Sequence, residues 1–206
     1  MRRTKAASVS RSLGVWGQAL SQFEYITVFL SIVMALAVAE LLIGLGRLIR
    51  ERDHVKIYWV HVGWMILGII VLTSSWWSIW KVRSHVFASY FEFLSLLLPS
   101  LFLVTISLLL SPPIDPGRPF DLREYYFRHI RWIAVLVAVQ VAFVALSRVV
   151  LGVEGWFAPV NGIRLIVAGV ILSLGFSVNQ KLHSAALLIV AGLFSISLIF
   201  TIFGAS

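Results

Sequence analysis

The segment FEYITVFLSIVMALAVAELLIGLGRLIR, residues 23–50, decides the class of this protein. Between Glu24 and Arg47 it contains one ionisable side chain, Glu40, in a run made mainly of Val, Leu, Ile, Ala, Phe and Met. At about 1.5 Å of rise per residue, this interval forms an α-helix roughly 34 Å long, which is enough to cross a hydrocarbon core of about 30 Å. The segment is therefore predicted to be a transmembrane helix.

The composition of the whole chain agrees with a membrane protein. Of its 206 residues, 60% are hydrophobic and 13% are charged, whereas a soluble domain has about 25% charged residues. The chain has no cysteine, which excludes disulfides, thiolate metal sites and a cysteine nucleophile. Its formal net charge is +8. Because the basic residues lie at the ends of hydrophobic runs, we expect them to bind anionic lipid headgroups and not nucleic acid.

Five more hydrophobic runs follow the first. We predict an all-α fold, an integral membrane helical bundle with one domain over residues 23–206. Its six transmembrane helices are expected over about residues 25–49, 57–80, 87–110, 132–150, 163–178 and 182–203. We expect a multi-pass protein of the bacterial inner membrane. The basic residues outside the runs divide almost equally between the two sides of the membrane, with eight on one side and nine on the other. This count does not set the orientation, and we slightly favour one in which the odd-numbered loops are cytoplasmic.

Residues 1–22 form a basic tail without acidic residues. Leu13, Trp16 and Leu20 recur at spacings of three and four, which predicts an amphipathic helix lying in the membrane interface. The Arg- and Ser-rich composition also fits an organelle transit peptide, and both interpretations stay open.

Small residues four positions apart indicate faces on which membrane helices approach each other closely. Three such series occur, one each in the first, fourth and fifth runs, and they predict helix packing within one chain or between copies. They are Ser31, Ala35 and Ala39; Ala134, Ala138 and Ala142; and Gly169, Ser173 and Ser177.

Aromatic and basic residues at the ends of the runs predict the boundary between membrane and water. Asp121 with Glu124 three residues later resembles a capping box that restarts a helix before the fourth run. The residues expected at headgroup depth are Trp76, Trp77, Trp80, Arg128, His129, Arg131 and Trp132.

Polar side chains within the runs are predicted to form one inward-facing layer. At about 1.5 Å per residue, Glu40 lies roughly 10 Å from Arg47, and Gln140 lies roughly 13 Å from Arg131 on the same side. The layer comprises Glu40, His61, Thr105, Ser107, Gln140, Ser173 and Ser177. Glu40 is either an ion, proton or ligand site, or a protonated or hydrogen-bonded residue that fixes helix register.

His61 is interpreted as an interfacial hydrogen-bonding residue in preference to a haem or metal ligand. A haem would need a second histidine facing it at the same depth, and His129 and His183 both lie at the boundary.

The segments FEYITVFLSIVMALAVAELL, YWVHVGWMILG, SSWWSIW and DLREYYFRHIRW resemble a family of small bacterial polytopic membrane proteins. This resemblance covers most of the chain and implies no activity. The late acid of the first run and FLSLLLPSLF in the third are similar to the lysosomal-type potassium channels and their bacterial relatives. Their hallmark Phe-Ser-Asp is absent, since the sequence at 29–32 reads FLSI. No pore is therefore inferred.

Motifs that carry catalysis are absent from the sequence, including a phosphate-binding glycine loop, HExxH and GxSxG. We therefore expect no enzymatic activity, catalytic residue, metal or cofactor. The favoured hypothesis is a structural or accessory subunit that packs against other membrane protein subunits or in a homo-oligomer. The alternative is a channel or transporter for an ion or small solute that uses the layer around Glu40.

Overall fold

The structure, a computed structural model, describes residues 22–80, 83 and 89–203. Over these residues the fold is all-α. Its six helices are α1 (Gln22–Arg50), α2 (Trp59–Ile79), α3 (Tyr90–Leu110), α4 (Leu122–Val150), α5 (Pro159–Leu174) and α6 (Gln180–Phe203). Two short strands, β1 (Val55–Lys56) and β2 (Phe120–Asp121), pair in parallel, with Val55 opposite Phe120. Apart from Gln22, the predicted interfacial helix lies outside the described residues.

Four helices, α1 to α4, are long and apolar enough to cross a membrane. Two further apolar helices follow. They are Pro159–Leu174 and the helix that begins at Gln180, whose side chains are described as far as Ile196. Large apolar side chains such as Leu36, Phe91 and Leu188 point outward, where each is more than half exposed. An outer surface of this kind needs an apolar solvent, which indicates a membrane protein.

The helices close into a ring in the order α1, α3, α4, α5, α6, α2 and back to α1. The most extensive contacts are those of α3 with α4, of α4 with α5, and of α1 with α3. Helices α1 and α4 therefore lie on opposite sides of α3. The last two helices, α5 and α6, complete the ring between α4 and α2.

Helix α4 begins ten residues before the predicted fourth span. The Asp121 carboxylate accepts hydrogen bonds from the backbone N–H groups of Arg123 (3.0 Å) and Glu124 (3.1 Å), which confirms the predicted helix start at this cap. The helix then continues without a break through Arg131 into the apolar run. Residue 132 therefore lies inside α4 and does not begin it. Membrane depths that are counted from Arg131 are displaced along this helix.

Side chains from two neighbouring helices satisfy the last carbonyl groups of α3. The Tyr125 hydroxyl donates to the carbonyl of Leu109 (3.0 Å), and the His61 Nε2–H donates to that of Leu110 (2.8 Å). The hydroxyl of Ser111 donates to the carbonyl of Glu40 on α1 (3.2 Å). These bonds fasten α1, α2 and α4 to α3, and we call this region the pinned end of the bundle.

Helix α1 approaches its neighbours most closely at Gly44. A Cβ atom at this position would lie 2.6 Å from Ser111 Oγ and 2.8 Å from Met65 Cε. Two residues further on, a Cβ atom at Gly46 would have no neighbour within 4 Å.

We expect Gly44→Ala to lower the thermal unfolding midpoint in detergent, and Gly46→Ala to leave it unchanged or raise it. Alanine favours a helix over glycine by about 1 kcal/mol, but at Gly44 the added methyl must displace Ser111, and overpacking of this kind costs about 1–3 kcal/mol. Tryptophan fluorescence on heating measures both midpoints. Equal midpoints for the two variants would contradict the close approach at Gly44.

Candidate functional site

A cavity of about 580 Å³ lies between α2, α3, α4, α5 and α6 and is partly open to the outside, a size typical of ligand pockets. Along α4 its lining runs from Tyr126 to Arg148, a rise of about 33 Å, so the space is long and narrow. Most of its wall is apolar, including Leu67, Val71, Ile133, Val137, Val167 and Val190.

Short, branched side chains line the cavity where α4 faces α5. Val137, Val141 and Val144 recur on α4 at spacings of four and three, and Val167 faces the same space from α5. Nearer the pinned end the two helices are close, since a Cβ atom at Gly175 would lie 3.1 Å from that of Ala134. The cavity runs past this close contact, since Tyr126 and Ile130 on one side of it and Val137 on the other all line the space.

An ion pair joins the loop after α4 to helix α5 at the end of the cavity away from the pinned end. Both Glu154 carboxylate oxygens accept hydrogen bonds from Arg164, the bond from Nη2 to Oε1 being 3.1 Å long. Arg164 also donates to Asn161 Oδ1 (2.8 Å), and Asn161 Nδ2 donates to the carbonyl of Gly155 (3.1 Å). The single carboxylate at this end is thus engaged in a bidentate pair.

Arg148 lines the same end of the cavity without a carboxylate partner. Its Nη2 donates to Ser78 Oγ (2.7 Å) and lies 3.5 Å from the Ser78 carbonyl oxygen. In the described part of the chain, Nη1 and Nε make no hydrogen bond. Two guanidinium groups and one carboxylate, those of Arg148, Arg164 and Glu154, leave one positive charge uncompensated, and we call these three residues the basic end.

The opposite end of the cavity is polar but neutral. Tyr126 and His183 are fully buried there, and the Tyr126 hydroxyl donates to His183 Nδ1 (2.8 Å). His183 Nε2–H donates to the carbonyl of Ser177 (3.0 Å). This chain of bonds links α4 to the start of α6.

Three buried polar atoms near this neutral end have no hydrogen-bond partner among the described residues: Tyr58 Oη, His61 Nδ1 and Trp64 Nε1. His61 is fully buried in the third position of α2, and its hydrogen bond to Leu110 gives it the hydrogen-bonding role that was predicted. Its ring packs edge-on against Tyr126, with 5.7 Å between centroids. Burial raises the pKa of the Tyr58 hydroxyl, and the nearby Arg123 guanidinium opposes the shift, so Tyr58 is a neutral donor.

The structure does not bring Glu40 and Gln140 into one layer. Glu40 lies at the pinned end, where its carbonyl accepts from Ser111. Gln140 lies about 14 residues beyond Tyr126 on α4, roughly 21 Å deeper, and α3 stands between it and α1. The expectation failed because its depth was counted from Arg131, whereas α4 starts at Leu122. Gln140 is buried and lines the cavity, and Glu40 does not.

The hydroxyl groups of the predicted layer bond mainly within their own helices. Thr105 and Ser173 are exposed, and they donate to the carbonyls of Leu101 and Val170. Ser107 is buried and donates to the carbonyl of Leu103, and Ser177 accepts from the backbone N–H of Asn179. Such local bonds satisfy the hydroxyls without building a shared site.

The small-residue series divide between buried and exposed positions. Ala134 is fully buried against α5, and Ala138 is half-buried, while Ala142 is exposed. Ala35, Ala39, Gly169 and Ser173 are all exposed, and Ser31 donates to the carbonyl of Thr27. The alanines of the α1 series, Ala35 and Ala39, therefore face away from the bundle.

The residues predicted to contact headgroups lie largely on the outside. Trp76, Trp77, Trp80 and Trp132 are between 43% and 65% exposed, as contact with lipid requires. Arg128 pairs with Glu124 (2.6 Å), His129 Nδ1–H donates to the carbonyl of Tyr125 (2.8 Å), and Arg131 lies over the ring of Phe176. Trp77 also lines the cavity.

Sequence reasoning missed the basic end. The general prediction that basic residues at the ends of hydrophobic runs bind headgroups includes Arg148 and Arg164, and it does not indicate that they line a cavity. A usable signal was Glu154, an acid in a short loop between two arginines. The valines of α4 at spacings of three and four gave a second signal, which indicates one continuous face.

No group of three or more metal-binding side chains occurs among residues 22–80, 83 and 89–203. No protein-family model, curated protein or solved structure matches this chain. The resemblance to small bacterial polytopic proteins therefore stays a prediction.

We expect Tyr126→Phe to destabilise the protein, because it leaves the buried Nδ1 of His183 without its donor. Loss of one partner of a buried hydrogen bond costs about 1–3 kcal/mol. Tyr90→Phe is the matched control, since Tyr90 is 68% exposed. Chemical unfolding in detergent compares the two variants, and a control variant as unstable as Tyr126→Phe would contradict the role given to this bond.

Proposed function

We propose that this protein crosses the membrane six times and holds the hydrocarbon chain of one membrane amphiphile in its central cavity. The observation that carries the proposal is the largely apolar cavity of about 580 Å³ between α2, α3, α4, α5 and α6, which is partly open to the outside of the bundle. Its long, narrow form suits an extended chain better than a compact ring system. The resemblance to small bacterial polytopic proteins supports the inner membrane as its location.

A cavity of this size is not expected to remain empty. Apolar walls that face an empty space lose the van der Waals contacts that a filler would provide. Water is a poor filler because most of the lining is apolar. Hydrocarbon from the surrounding bilayer is the available alternative.

In this proposal helix α5 is the shortest crossing. Helix α5 has 16 residues, about 24 Å, which is shorter than a bilayer core of about 30 Å. Local thinning of the bilayer accommodates a mismatch of this size at modest cost. The exposed apolar side chains of α5, among them Ile163, Leu165 and Ile166, support a position against lipid.

Val167→Phe is expected to displace the bound chain, because Val167 lines the cavity and the larger ring would occupy part of it. Val170→Phe adds the same volume on the outer side of α5, where Val170 is 38% exposed. Native mass spectrometry after extraction in mild detergent counts the lipid-sized adducts on each protein. We expect one retained adduct on the wild type and on Val170→Phe, and none on Val167→Phe.

Two results would overturn this proposal. One is a wild-type protein that carries no adduct. The other is equal retention by Val167→Phe and Val170→Phe, which would assign the adduct to the outer surface.

A second candidate function is that of an accessory subunit or homo-oligomer. It is favoured by Ala35 and Ala39, which present small side chains on the outward face of α1, where a second helix could approach closely. Adjacent large residues such as Ile32 and Leu36 frame this face.

Single-cysteine variants test this candidate cleanly, because the chain has no cysteine of its own. We expect Ala39→Cys to form a cross-linked species in native membranes under mild oxidation or with a short bifunctional thiol reagent. Leu188→Cys on the exposed face of α6 is the matched control. If Ala39→Cys stays monomeric, or cross-links only as much as Leu188→Cys, the assignment of an interface to α1 is contradicted.

A further inference from the structure

We propose that the basic end selects an anionic headgroup, so that the occupant of the cavity is a hydrocarbon chain ending in a phosphate or carboxylate held by Arg148. This inference rests on the proposed function, since it assumes that the cavity holds an amphiphile. It adds the charge of the ligand, its direction in the cavity and the residue that recognises it.

The inference begins from the hydrogen bonds of the Arg148 guanidinium. Its guanidinium lines the cavity in the last turn of α4, and its hydrogen bonds use only Nη2, which donates to Ser78 Oγ at 2.7 Å. The N–H groups of Nη1 and Nε make no hydrogen bond within the described chain. A guanidinium presents its donors as a planar fork that matches two oxygens of a carboxylate or phosphate.

The neighbouring charges do not neutralise Arg148. Glu154 is bound in two-point contact by Arg164, which is further fixed by Asn161. Among the described residues, no carboxylate pairs with Arg148 within 4.0 Å. A charged group facing a membrane cavity is costly unless it is paired, so an anion that supplies the missing partner binds favourably here.

The two ends of the cavity differ, and the difference sets the direction of the ligand. The far end is lined by Tyr126 and Trp64, whose side chains carry no charge. An anionic headgroup at that end would find no cation among the lining residues. We infer that the headgroup lies beside Arg148 and Ser78, with the chain extending past Gln140 toward Tyr126.

The test uses delipidated full-length protein in an uncharged detergent. Palmitoyl-oleoyl phosphatidylglycerol, the matching phosphatidylcholine, oleate and inorganic phosphate are titrated separately, and affinity is read from the rise in thermal midpoint. We expect the phosphatidylglycerol or oleate to bind roughly tenfold or more tightly than phosphatidylcholine. Inorganic phosphate alone is expected to have no effect at the same concentration. The stronger of the two anionic lipids identifies the headgroup.

Variants then assign the preference to Arg148. Arg148→Gln is expected to bring the ratio of anionic to zwitterionic affinity close to one, and Arg148→Lys to keep most of it. Arg83→Gln is the matched control, since Arg83 is an exposed cation at the same end of the bundle. A control variant that loses the preference as fully as Arg148→Gln would assign it to surface charge and overturn the inference.

The two proposals fail in different ways. Equal binding of phosphatidylglycerol, oleate and phosphatidylcholine by the wild type would overturn the anionic site but leave the cavity occupied by a chain. Absence of any lipid effect, together with no adduct in the Val167→Phe comparison, would overturn both. If Arg148→Gln does not fold, the wild-type ratio and Arg148→Lys still decide the question.

Discussion

Helix ends within a membrane protein expose carbonyl groups that their own helix cannot satisfy, and the end of α3 shows how this chain meets that constraint. Tyr125 and His61 donate to the carbonyls of Leu109 and Leu110, and Ser111 donates to a carbonyl of α1. Each bond comes from a different helix or segment. These hydrogen bonds therefore fix the positions of α1, α2, α3 and α4 relative to one another. Helices α5 and α6 are placed by their contacts with α4 and α2.

The basic end is joined differently. The side-chain contacts there, Arg148 with Ser78 and Arg164 with Glu154, connect charged groups at the edge of the cavity and do not close it. The helices leave room between them next to these contacts. The valines of α4 maintain that room because they are too short to fill it. A sequence selected only for stability would place larger residues there, since filling a cavity is stabilising.

Hydrophobic runs and charged boundaries were enough to predict the all-α fold and, within a few residues, five of the six helices. For the fourth, the capping box predicted the helix start that the structure has at Leu122, but the membrane span was counted from Trp132, where the apolar run begins. That displacement misplaced Gln140 by several turns and assembled a polar layer with Glu40 that the structure lacks. Span counting gives depth but not rotation about the helix axis. Whether Arg148 faces headgroups or a cavity depends on that rotation, which the contacts of α4 with α3 and α5 determine.

Arg148 also shows how a cation can remain available within a membrane protein. It lies in the last turn of α4, and its partner Ser78 lies in the last turn of α2. The C-terminal ends of both helices carry partial negative charge, and each stabilises a cation by about 0.3–1 kcal/mol. Two such contributions hold the guanidinium in place, yet they do not supply the full countercharge that a carboxylate would. The same partial charges act against an approaching anion, so headgroup binding depends on the free donors of Nη1 and Nε, which place the anion on the cavity side of the guanidinium.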